Sequence, residues 1–102
     1  MQYEIFANPG QLRQAVPFLL AIQNDHIVGY TGAVVVIPLR ADIAPVTVMA
    51  PLVEVPGHGQ HVLSAAEIFT IDRTRLKTSV ASLGMPDRAK IRPALDKVIG
   101  EY

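Results

Sequence analysis

His58 and His61 stand three residues apart, a spacing at which two imidazoles could share a metal ion, and His26 is the third histidine of the chain. A metal site asks for further soft or charged ligands, either thiolates or paired carboxylates, close by. The chain has no cysteine, and no carboxylate pair flanks the two histidines, so they read as polar residues of a turn and no metal is expected. Nucleophilic chemistry fares no better. Gly-x-Ser-x-Gly is absent, and Ser64, Ser79 and Ser82 lack any neighbour that would mark them as activated. Gly57-His58-Gly59 lacks the later glycine and the helix start of a dinucleotide fingerprint, and there is no Gly-Lys-Ser/Thr phosphate loop. Glu54 and Glu67 fall on different elements, so nothing pairs them for acid–base work. These residues imply no catalytic set and no cofactor. The expectation is a protein that grips other proteins, with function carried by exposed loops.

The composition supports that expectation. The chain is 102 residues long, 50% hydrophobic and 18% charged, which suits one packed core and leaves too little for two. Its formal net charge is zero, so no global field draws it to nucleic acid. The charge is nevertheless uneven. Residues 1–72 carry two basic and six acidic side chains, net −4, and residues 73–102 carry seven basic and three acidic, net +4. The last third therefore offers a basic surface to an acidic segment. The N-terminus has neither a basic n-region nor an apolar h-region, and no apolar run approaches the ~20 residues of a membrane span. The cytoplasm is the expected location.

Short strands must position whatever the loops carry. Period-two alternation or β-branched runs predict strands at Gln2–Phe6, Phe18–Ile22, Ala33–Ile37, Val46–Val48, Leu52–Val55, His61–Leu63, Ile68–Ile71 and Arg75–Val80, the last with Leu76 and Val80 inward. Asn8-Pro9-Gly10 marks a turn, Gln23–Gly32 an exposed loop, and Pro56–Gln60 a hairpin loop. Pro38 has no amide hydrogen and should sit where its strand leaves a neighbour. After Gly84, residues Ile91, Ala94, Leu95, Val98 and Ile99 follow a helical period, with Pro86 suited to a first turn and Pro93 set to kink or restart the helix. The fold expected is mainly β, one domain over residues 1–102: a small barrel-like sheet of five to seven strands with a C-terminal helix.

In order, Met1-Gln2-Tyr3, Gln23-Asn24-Asp25, Val36-Ile37-Pro38-Leu39, Pro51-Leu52-Val53 and the Ile91-centred helix resemble the CcdB family of toxins from bacterial toxin–antitoxin pairs, across essentially the whole chain. The resemblance implies an SH3-like barrel with a terminal helix, a homodimer, a CcdA-like antitoxin whose disordered tail wraps it, and the A subunit of DNA gyrase as target, with nucleic acid met only indirectly. By position it assigns the gyrase contact to Asn24, His26 and Ile27 in the loop and to Asp96, Gly100, Glu101 and Tyr102 at the helix end. It assigns antitoxin contact to Arg13, Arg40 and Asp42. The family ends in Trp-Gly-Ile, whereas this chain ends Ile99-Gly100-Glu101-Tyr102, so Gly100 stands where the tryptophan would stack and Tyr102 is the aromatic group left to replace it. Two other readings are open on the same barrel: an endoribonuclease toxin, and a regulatory dimer that binds its antitoxin and no longer poisons gyrase.

Overall fold

The computed structural model describes residues 1–25 and 31–100. Its strands are β1 (Glu4–Ala7), β2 (Phe18–Ala21), β3 (Ala33–Arg40), β4 (Leu52–Val55), β5 (Gly59–Leu63), β6 (Phe69–Asp72) and β7 (Ser79–Ser82), followed by helices α1 (Met85–Arg88) and α2 (Ile91–Ile99). All pair antiparallel, in the order β4-β5-β3-β2-β1-β7, with β6 also on β3. The barrel expected from the sequence is thus present as a curled sheet, half a barrel, with the terminal helix against it.

β3 is the axis of the sheet. Eight residues long and rich in valine, it is covered on both faces. Val34 and Val36 join Phe6, Leu19, Ala21 and Ile71 in one core, while Ile37 and Leu39 join Ile5, Leu20 and Leu63 in the other. Along one edge β3 pairs only with β2; along the other it pairs with β6 through Val36 and with β5 from Leu39 onward. Pro38 lies at that change of partner. Its carbonyl accepts the Ser64 amide at 3.0 Å on the side of the change, and in a strand a residue's N and O point the same way, so its missing donor falls in the gap. Pro38 thus sits where β3 changes partner on one edge, but it is at neither a sheet edge nor a bulge: β3 stays paired with β2 through Leu19 and runs on to Arg40, past the Ile37 end expected from the sequence.

Two lids close the two cores. α2 covers the Ile37 side, burying Ile91 and Ala94 and half-burying Leu95 and Val98. The helix does restart near Pro93. α1 ends at Arg88 and α2 begins at Ile91, which puts Pro93 in a first turn where its absent N–H costs nothing. Ile99, expected in the core, is 74% exposed. On the Val36 side the chain crosses back from β6 to β7, and Leu76 packs against that core.

Several elements depart from expectation. Arg75–Val80 is not one strand: Arg73–Arg75 form a 3-10 turn capped by Asp72, and pairing starts at Ser79. A register shift opposite Ile5/Phe6 makes Val80 the extra residue of a bulge, so it is 42% exposed while Ala81 turns inward. The first strand begins at Glu4 rather than Gln2, because Tyr3 has φ 71° and Glu4 N–H closes a turn on the Met1 carbonyl. Val46–Val48 is no strand of a sheet. Val46 and Ala50 exchange both amide bonds at 2.9 Å around a tight reversal whose apex, Val48, has φ 68°. The local turn bonds outweigh the β propensity of the two valines.

A β-branched residue at positive φ is strained by about 1–2 kcal/mol. Glycine there loses ~0.5–1 kcal/mol to chain entropy. Val48→Gly should therefore stabilise the protein by about 1 kcal/mol or slightly less in urea unfolding, and a lower midpoint would show that Val48 is not strained.

Candidate functional site

β2 and β5 meet β3 so that the connections 8–17, 41–51 and 64–68 lie at one end of the sheet, where Phe18 and Leu63 both pair with Leu39. The first connection is stapled by Asn8, whose Nδ2 donates to the Val16 carbonyl at 2.8 Å and whose Oδ1 accepts Gly10 N–H at 2.9 Å. It is tied to the second by Ala41 N–H on the Ala15 carbonyl, 2.9 Å. Between the first and third connections opens a groove of about 220 Å³, with Val16, Leu19 and Pro38 lining it and Leu12 and Phe69 at its sides. Leu12 is 72% exposed and Phe69 41%.

Arg40, the last residue of β3, clasps this end. Its Nε and Nη2 donate to the two Asp42 carboxylate oxygens at 2.8 Å, and its Nη1 donates to both Glu67 oxygens at 2.8 and 2.9 Å. Ser64 Oγ donates to Glu67 Oε1 at 2.7 Å. The Asp42 and Glu67 pairs raise the Arg40 pKa further above its already high value. The Ser64 hydroxyl and then Arg40 hold the Glu67 carboxyl below the usual range, and Arg40 does the same for Asp42. The sequence reading missed Ser64 and Glu67 as partners, although Ser64-Ala65-Ala66-Glu67 has the spacing of a capping box.

Arg13, Arg40 and Asp42, assigned to antitoxin contact, thus come together at one end. Arg40 and Asp42 are in direct contact, and Arg13 sits on the stapled turn, without an ion pair to any described residue. Asn24 leaves from the opposite end of β2 and is exposed. Its neighbour Ile22 shares a cavity of about 170 Å³ with Leu95 of α2, so the loop starts against the helix that carries exposed Asp96. Gly100 ends that helix so tightly that a Cβ there would run into the Asp96 carbonyl oxygen. A tryptophan could not stand at this position without moving the helix end. His26, Ile27, Glu101 and Tyr102 lie outside the described residues.

The remaining candidates are accounted for by packing. The His58 and His61 rings lie 4.9 and 5.2 Å from the Phe18 ring, and no metal-binding cluster occurs among the described residues. Asp87, suited from the sequence to a helix N-terminus, and Lys90 cover the free edge of β4: Glu54 N–H donates to Asp87 Oδ2 at 2.7 Å and Lys90 Nζ donates to the Leu52 carbonyl at 2.8 Å. The two are paired with each other at 2.8 Å. Partial burial opposes the Asp87 charge, yet these bonds outweigh it and hold its pKa low. No described helix is long and apolar enough to cross a membrane.

The described residues form a curled antiparallel sheet sealed by a terminal helix, with a clasped groove at one end. The chain matches the CcdB protein family over residues 2–100 and belongs to that family, toxins of toxin–antitoxin systems. Among solved structures it is similar to an endoribonuclease in complex with its cognate antitoxin from a mycobacterial species, at 17% identity and TM-score 0.78, covering 100% of this chain and 96% of that one. It is also similar to a mycobacterial endoribonuclease at 16% identity and TM-score 0.73, covering 98% and 90%. At these identities the likeness is one of fold. No curated protein matches the chain in sequence.

Because the folded pKa values of Asp42 and Glu67 lie below their unfolded ones, the clasp stabilises the fold above the unfolded values, and that stability is lost as pH falls through the folded values. Urea midpoints measured from about pH 6 to about pH 2 should fall less steeply for Glu67→Gln than for the parent; parallel curves would remove the clasp from the acid response.

Proposed function

We propose that this CcdB-family toxin acts by holding the A subunit of DNA gyrase, works as a homodimer, and is neutralised by a cognate antitoxin. The observation that carries the target reading is Ile99. It is a large apolar side chain, 74% exposed at the end of an otherwise buried amphipathic face, beside the exposed Asp96. Such a side chain is normal alone. Here it lies at the end of the helix whose Leu95 shares a cavity with Ile22, and the family resemblance assigns target contact to the loop after Ile22 and to the helix end. A tryptophan at residue 100 would have to displace the helix end, so in this reading Ile99 takes the apolar contact.

The endoribonuclease reading is favoured by one observation, the fold shared with two mycobacterial endoribonucleases. The surface that would serve it is a groove of about 820 Å³ with Arg73, Lys77, Thr74, Thr78 and Ser79 on its walls. Its cations could hold phosphates. Its carboxylate Asp72 does not suit a general acid: it is engaged by the Thr74 hydroxyl and amide, at 2.7 and 2.9 Å, which lower its pKa. A general acid needs the opposite shift.

The two readings separate on one preparation. The purified protein should inhibit gyrase supercoiling while leaving messenger RNA intact, and Ile99→Asp should weaken that inhibition about 30-fold, equivalent to ~2 kcal/mol for an interface hot spot, with unchanged thermal stability. RNA cleavage without gyrase inhibition would overturn the gyrase reading.

A further inference from the structure

The outer edge of β4 is closed by side chains and not by a strand. β4 stands at one end of the sheet order and pairs with β5 on one side only. In a strand the N and O of a residue point the same way and alternate from residue to residue. The Leu63 N–H on the Pro51 carbonyl shows that Pro51, and with it Val53 and Val55, faces β5, so Leu52 and Glu54 face outward. Asp87 and Lys90 meet them in the manner of a missing strand. The carboxylate takes the Glu54 N–H, the ammonium fills the Leu52 carbonyl, and the 2.8 Å pair between the two side chains holds both in place.

The segment that carries this pair is lightly held. No residue from Gly84 to Lys90 is buried, whereas Leu83 before it and Ile91 after it are. Met85 is 72% exposed. Besides Asp87 and Lys90, the ties are those of Arg88, whose Nε donates to the Leu83 carbonyl at 2.8 Å and whose guanidinium lies 4.5 Å from the centre of the Tyr3 ring. A stretch with so little buried surface opens locally at small cost, with both cores intact.

A second copy of the chain fits the bared edge. Turned about a twofold axis at Val53, two β4 strands run antiparallel with each Glu54 opposite the other copy's Leu52. Each Glu54 N–H then meets a Leu52 carbonyl, so the two groups released by Asp87 and Lys90 satisfy one another across the axis. The two Glu54 side chains lie diagonal to each other, each opposite a half-buried Leu52. Pro56, the next outward position, has no N–H, which confines the ladder to this stretch. An unrelated strand would use the same backbone groups, but a second copy brings both of them in the reciprocal register.

We propose that residues 84–90 form a removable strap over β4, and that lifting it opens a self-association surface in which the β4 strands of two copies pair antiparallel about Val53. This contact is additional to the homodimer of the proposed function and does not depend on it.

The test is sedimentation equilibrium of the full chain, comparing the parent with Asp87→Ala/Lys90→Ala, whose fold is checked by circular dichroism and thermal unfolding. The double variant should climb with concentration to at least twice the parent's mass, an association strengthened about 10-fold or more, equivalent to ~1.4 kcal/mol. Lys90→Ala alone leaves Asp87 on the Glu54 amide and should fall between the two. Glu54→Pro removes an outward N–H and no bond to β5, so adding it to the double variant should return the mass to the parent's. Hydrogen exchange gives a second reading: the Glu54 amide, protected in the parent, should exchange faster in the dilute double variant and regain protection as concentration rises. A folded double variant that keeps the parent's mass would overturn the proposal. So would association that Glu54→Pro leaves unaltered, because another surface would then hold the copies together.

Discussion

β3 is one strand with two successive partners on the same edge, and everything else in the fold accommodates that change. A residue at the junction would ordinarily present an amide to a gap between β6 and β5, and an unpaired buried amide costs roughly 1–3 kcal/mol. Pro38 has no amide to lose, and its carbonyl is taken by Ser64. The junction lets the sheet curl, because β6 can fold away over the Phe6 and Val36 side while β5 and β4 continue on the side sealed by α2. It also leaves an opening beside Pro38, the groove between Leu12 and Phe69.

The ionic contacts serve this geometry more than they add raw stability. Exposed ion pairs contribute little on their own. Arg40 is unusual in holding two carboxylates from different connections, and through them it fixes where the chain turns from β5 toward β6. Asp87 and Lys90 perform a second task at the far side of the sheet. By occupying the Glu54 amide and the Leu52 carbonyl they stop β4 from recruiting another strand.

Much of this was legible in the residues, and the failures have a common cause. The β-branched run of β3, the Asn8-Pro9-Gly10 turn, the place of Pro38 and the helix restart near Pro93 each depend on local chemistry that the sequence states directly. Val46–Val48 has strand propensity as well, but the segment closes on itself through Val46 and Ala50. Val80 alternates correctly in the sequence and is displaced by a bulge that only pairing with β1 reveals. The groove was invisible because Leu12 and Phe69 are 57 residues apart (69 − 12) in a sequence where neither stands out. The same holds for Arg40 with Glu67. Only Ser64-x-x-Glu67 carried a local signal.

The sites assigned to the two partners lie at opposite ends of β2, with Arg13, Arg40 and Asp42 before and beside it and Asn24 after it. An antitoxin held by Arg13, Arg40 and Asp42 would reach the target surface only by running on along the protein, which suits a disordered tail. The most direct measurement is amide chemical-shift mapping by NMR during titration with the cognate antitoxin. The account predicts that the earliest and largest changes fall at Leu12–Ala15, Arg40–Ile43 and Ser64–Phe69. Changes confined to the region of Asn24 and α2, with those three segments unmoved, would contradict it.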